Sequence, residues 1–238
     1  MNPQLFFPIL IVIYYIVNFQ ETLEYFYSFR YKNVNVKFFR NKIYISDEIT
    51  SKNSKENILY LQMASRDAQK ASKDRQKAGK DRQKASRGEQ ISTLDKATQV
   101  YIIINSGGGN FFGGYEIIQE IKYLKSIGVI VNCIGLKAHS AAFDILQSCT
   151  NRYITPNAKL MQHDLIIEFT GTVTEFEETY EVLDLFKALN KELIRTVLKK
   201  SNITLAEYNE LIKYEWRLNG YKEILKYNLA YEVINFYD

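Results

Sequence analysis

The chain has 238 residues, 46% of them apolar and 24% charged, and a formal net charge of +4. That is enough chain to bury a sizeable core, and the balance excludes a wholly disordered or collagen-like polypeptide. The positive charge does not describe a nucleic-acid-binding face: residues 64–90 hold nine Lys or Arg against four Asp or Glu, a local balance of +5, so the rest of the chain stands at −1.

In chain order, the first element is the uncharged stretch 1–20, with the apolar run LFFPILIVIYYIV from Leu5 to Val17. Thirteen residues fall short of the roughly 20 a helix needs to cross a bilayer, but they suit a signal segment or a short membrane anchor. A buried strand or helix of the domain is the alternative. If the run inserts, the nearby Arg30, Lys32, Lys37, Arg40 and Lys42 favour a domain held on the cytoplasmic side.

Residues 21–63 contribute a strand at Lys42–Ser46 (KIYIS) and a helix at Glu56–Met63 (ENILYLQM). Residues 64–91 follow as a sevenfold-period repeat: ASRDAQK, ASKDRQK, AGKDRQK, ASRGEQI. A coiled coil needs two apolar positions per heptad and these offer one alanine, so the repeat is a polar insertion, helical or disordered. A basic surface for nucleic acid or acidic lipid is the competing use, and no nucleic-acid partner is expected.

Residues 92–238 form the main domain. Val100–Asn105 (VYIIIN) and Val129–Leu136 (VIVNCIGL) read as strands covered on both faces, and Gly114–Ile127 and Ala141–Gln147 as helices. Strand, helix, strand, helix with short connections predicts an α/β fold built of βαβ units around a mostly parallel sheet. Cys133 and Cys149 lie in apolar surroundings with no metal-ligand spacing, so they read as buried free thiols in a reducing compartment. No metal or cofactor motif is evident.

Chemistry can reside at three places. The glycine run Asn105-Ser106-Gly107-Gly108-Gly109 closes a strand; it lacks the spacing of a dinucleotide or P-loop cradle, but it brings bare backbone N–H groups close to a surface, as an oxyanion site requires. Ser140 stands between a strand and a helix, where its hydroxyl and the N–H of Ala141 share the positive end of the helix dipole. An N-cap is the commoner role for such a serine. The chain has two histidines: His139 adjoins Ser140 and its side chain should diverge, whereas His163 ends another apolar run one βα unit later, at the sheet edge where α/β sites gather.

Together, INSGGGN from Ile104, GLKAHSAA from Gly135 and RYITPNAKLMQH from Arg152 resemble, in order and spacing, the motifs of the Clp protease proteolytic-subunit (ClpP) family. The likeness covers roughly residues 42–63 and 99–234. It implies a ClpP/crotonase-like spiral of βαβ units, and a serine endopeptidase acting on unfolded polypeptides. Ser140 would be the nucleophile, His163 its base, and the N–H groups of Gly108 and Ala141 the oxyanion hole. The family's acid falls near Tyr214–Leu218, so Glu215 is the best match for it, with Asp184 as the substitute. The family also implies a homo-oligomeric ring, formed through the strand and long helix after the histidine, and an ATP-dependent unfoldase as partner. Phe176, Tyr180, Leu183, Phe186, Leu189, Ile194 and Val197 give the helix expected over 175–200 an unshared apolar face.

Three residues depart from the family pattern: Gly107 stands where proline follows Asn-Ser, Gly135 lies one residue early relative to Ser140, and Glu215 replaces aspartate. The alternative function is a catalytically inactive scaffold or regulatory subunit of the same fold. Acyl-CoA chemistry on the related crotonase-type spiral would not require Ser140 and His163 together, and a serine–lysine pairing would have to use Lys137, three residues before Ser140.

Overall fold

The computed structural model describes residues 42–85, 99–167 and 180–234. Segment 1–20, most of the fourth repeat, and Phe176 lie outside the described residues. Among the described residues no helix is long and apolar enough to cross a membrane.

Among the described residues twelve elements follow one another: β1 (Lys42–Ile49), α1 (Ser51–Ala85), β2 (Gln99–Gly109), α2 (Phe111–Ser126), β3 (Ile130–His139), α3 (Ala141–Ser148), β4 (Asn151–Gln162), α4 (Tyr180–Leu198), α5 (Leu205–Ile212), β5 (Trp216–Asn219), α6 (Tyr221–Lys226) and β6 (Glu232–Val233). The strands make one six-stranded sheet in the order β1-β2-β3-β4-β5, with β6 also on β4. β1 to β4 are mutually parallel, β5 runs antiparallel to β4, and β6 runs parallel to it. The expected α/β architecture with a mostly parallel sheet is therefore present. Parallel neighbours in chain order place the carboxyl ends of β2, β3 and β4 side by side, and that edge carries the site.

The continuous β-branched runs mark strands with helices against them. Val100, Ile102, Ile104, Val131, Cys133 and Ile154 are fully buried, packed with Ile117, Ile121, Leu124, Phe143, Ile145 and Leu146 from α2 and α3. Truncating one of these large side chains to alanine is worth about 2–5 kcal/mol.

Two elements differ from their sequence-based expectation. The glycine run continues β2 where a turn was expected. After a bulge that leaves Gly107 without a partner, Gly108 and Gly109 pair with Glu48 and Ile49. A Cβ on Gly109 would stand 2.4 Å from the Ile49 carbonyl oxygen, so only glycine lets the two backbones approach this closely. The second difference is the repeat: α1 is a single helix of 35 residues running from the domain through three heptads. Its inner end buries Ser54, Asn57, Leu61 and Ser65, spaced three or four apart along one stripe, whereas Arg66, Asp67, Lys70 and Lys73 are exposed.

The cysteines also differ from expectation. Cys133 in β3 and Cys149 just after α3 are both fully buried, but they are joined as a disulfide with Cα atoms 5.9 Å apart. Residues 16 apart in sequence meet because helix α3 folds back along the strand that precedes it, a return that sequence spacing alone does not reveal.

Candidate active site

Ser140 occupies the junction of β3 and α3 with φ 53° and ψ −125°, a conformation few residues other than glycine adopt. A sharp strand-to-helix corner of this kind thrusts its side chain outward, the geometry of a nucleophile elbow. Holding it costs about 1–3 kcal/mol, which the surroundings must offset. Part of that offset is visible: the Ser140 N–H donates to the Met161 carbonyl oxygen at 2.8 Å, and Phe143 N–H donates to Ser140 O at 2.8 Å. The hydroxyl makes no capping bond to the helix, so the N-cap position is filled without the N-cap interaction.

Gly108 presses against this corner. Its φ is +89°, and a Cβ there would lie 2.5 Å from His139 O and 2.8 Å from Ser140 Cβ. The glycine loop is thereby held against the serine. In this conformation the Gly108 N–H donates to Ser106 Oγ at 3.1 Å. The N–H of Ala141, at the first position of α3, has no acceptor among the described residues and stands at the positive helix end.

Ser140 and His163 line one cleft of about 430 Å³, together with Ala141, Asp144, Gln162 and Asp164 at its floor and edge. Apolar walls come from Phe111, Phe112, Leu165, Ile166 and Phe186. Phe186 on α4 closes on Phe111 and Phe112, with ring centroids 5.2 and 4.7 Å apart. His163 follows the last residue of β4, and its Nδ1 is 2.5 Å from the carbonyl oxygen of Asp164. A carbonyl can only accept, so Nδ1 carries the hydrogen and Nε2 of the neutral ring is the free acceptor. No hydrogen bond joins Ser140 Oγ and His163 directly among the described residues.

The acids are elsewhere. Glu215, with φ 62°, pairs with Arg217 and is outside the cleft lining. The last β4–β5 rung is Gln162 with Trp216, so His163 and Glu215 each lie one residue beyond the same end of that ladder. Asp184 is on the exposed surface of α4 and pairs with Lys187 at 2.9 Å. Lys137 does not approach Ser140 in any recorded bond; its Nζ would be 3.5 Å from a Cβ at Gly107, over the glycine loop. His139 is on the other side of the corner, its imidazole held below the usual histidine range by burial and by Lys137, Arg217 and Lys159.

Sequence reasoning missed Asp144 and Gln162. Asp144 is 9% exposed, and its Oδ1 accepts from Gln162 Nε2 at 2.8 Å. Gln162 Oε1 in turn accepts from the His163 N–H at 3.3 Å. Burial raises the Asp144 carboxyl to about 7, and the Gln162 bond only partly opposes it. The available signal was an acid at helical spacing of four from Ser140 inside an otherwise apolar run, AAFDILQ. Among the described residues, no group of three or more His, Cys, Asp or Glu is placed to hold a metal ion.

A family profile described as Clp protease matches residues 79–236. The chain is also similar to the ATP-dependent Clp protease proteolytic subunit 2 of Borreliella burgdorferi, with 26% identity over 145 residues, 60% of this chain and 71% of that protein.

Proposed function

The chain belongs to the Clp protease family, and on that premise we propose that it is a serine endopeptidase cleaving unfolded polypeptides, with Ser140 as nucleophile and His163 as general base. The observation that carries this is the Ser140 corner: a non-glycine residue held at φ 53°, its hydroxyl uncommitted, in the cleft that also receives His163. The Nδ1 bond to Asp164 O leaves Nε2 with the lone pair needed to take the serine proton. Removing that proton activates an otherwise weak hydroxyl for attack on a peptide carbonyl. The Ala141 N–H, at the helix end, and the Gly108 N–H, once it exchanges Ser106 Oγ for the substrate, stabilise the tetrahedral oxyanion. Each such donor is worth about 3–4 kcal/mol. Glu215 is the acid that steadies the imidazolium after it leaves Arg217. The protein acts as a homo-oligomeric ring served by an ATP-dependent unfoldase.

A second reading is favoured by specific contacts: Gly108 N–H is taken by Ser106, Glu215 by Arg217, and the base has no bond to the serine. A catalytically inactive scaffold or regulatory subunit would keep them so. A fluorophosphonate probe separates the two. The peptidase labels on the wild type and not on Ser140→Ala, whereas a folded wild type that stays unlabelled is the scaffold.

A further inference from the structure

Asp144 takes no part in the steps above, yet it is built into the same cleft. It follows Ser140 by one helical turn, and its N–H reaches back to Ser140 O at 3.3 Å. An ionised carboxylate offers about four acceptor positions. The protein fills one of them, through Gln162. No ion pair among the described residues involves Asp144, and no cationic side chain opposes the burial that raises it to about 7. Tyr208 of α5 is near enough for burial and the Asp144 charge to push its hydroxyl up, and a phenol carries no positive charge.

The cleft is lined by apolar Phe111, Phe112, Leu165, Ile166 and Phe186 and by polar Asn110, Asp164 and Asn190, with Phe112 42% and Ile166 71% exposed. A cleft that offers both apolar side chains and one buried, under-satisfied acid fits a side chain that is itself an apolar stem ending in a cation. We propose that Asp144 is the specificity determinant of the cleft, taking the ammonium or guanidinium group of a lysine or arginine in the polypeptide that lies across Ser140. The inference rests on the reading of this cleft as a polypeptide site. A charge-assisted bond forms when the cation arrives, whereas a leucine or methionine side chain fills the cleft and leaves the acid desolvated and without a cation.

The test measures binding, so that it does not depend on turnover. The Ser140→Ala chain is titrated with unstructured peptides identical except for one central residue, lysine, arginine or norleucine. The basic peptides bind about tenfold more tightly or better, equivalent to about 1.4 kcal/mol. In the Ser140→Ala background, Asp144→Asn removes that preference while keeping the Gln162 bond, and Asp144→Glu retains part of it. Equal affinity for lysine and norleucine peptides, or no binding of any of them, overturns the proposal without requiring any change at Asp144. A preference that survives Asp144→Asn in a folded chain also overturns it. The hydrolase reading fails separately: a folded, unlabelled wild type whose Ser140→Ala form still discriminates lysine through Asp144 keeps the cation site and loses the peptidase.

Discussion

The two banks of the cleft are held in different ways. On the Ser140 bank the restraints are main-chain and covalent: a positive φ, a main-chain bond to β4, Gly108 packed within a methyl group of the corner, and the Cys133–Cys149 bond across it. On the His163 bank the restraints are side chains at the sheet edge, with Glu215 held by Arg217, half-exposed on both sides at 46% and 58%. Backbone in a packed core resists displacement, whereas an exposed ion pair is worth about 1 kcal/mol or less. Ser140 is thus set by the fold, whereas Glu215 is set by an exposed contact that is easily exchanged.

The largest effect expected is on the rigid bank. Ser140→Ala should lower peptide hydrolysis by about a thousandfold or more while leaving the circular dichroism spectrum unchanged. A residual rate close to wild type would remove the serine from the chemistry. Between the banks, the Asp144 carboxyl is raised to about 7 when folded, against an ordinary unfolded value near 4. The folded chain therefore holds that proton more tightly, and stability falls as pH rises from about 4 to about 7. Asp144→Asn cannot ionise, so its melting temperature should gain on wild type across that window, by up to a few kcal/mol in stability, and then run parallel. A constant difference from pH 4 to 8 would show that the carboxyl is not desolvated.

Gly108→Ala sharpens the contrast from the glycine side. Its Cβ would meet the His139 carbonyl oxygen at 2.5 Å, so about 1–3 kcal/mol of stability and at least about tenfold in turnover should be lost, read by thermal melts and peptide hydrolysis. On the loose bank the effects are smaller. Arg217→Gln frees Glu215 and should raise turnover by no more than about fivefold, the limit for a pair worth about 1 kcal/mol; Glu215→Gln should lower it. If the first change lowers turnover as much as the second, Arg217 and Glu215 act as a unit. The smallest change is Gly107→Ala, at the bulge, where a Cβ meets only Lys137 Nζ at an ordinary 3.5 Å. Its φ is not positive, so a gain of about 0.4–1 kcal/mol from a stiffer unfolded chain is expected in denaturant titration.

The parallel sheet was legible because VYIIIN and VIVNCIGL are long β-branched runs, although only the second is buried on both faces: in the first, Val100, Ile102 and Ile104 are buried, whereas Tyr101 and Ile103 are half-buried. The meeting of Ser140 and His163 in one cleft followed from the same topology, since consecutive parallel strands end on one edge. What was not legible depended on approach at atomic distance. Three glycines signal a turn in most sequences, and only the proximity of Ile49 O explains why these continue a strand. The repeat lacks a seam, yet α1 persists through it because its first four turns are anchored on α2 and helix propagation is easy once nucleated. Asp144 looked like one acid in an apolar helix, and its meaning emerged only with Gln162 facing it from β4.

The Cys133–Cys149 bond closes a covalent ring around the corner that carries Ser140, tethering the strand that enters it to the helix that leaves it. Both sulfurs are sealed from solvent, so a reductant reaches them only when this part of the molecule opens. The packing that the bond helps to brace is therefore also what shields the bond.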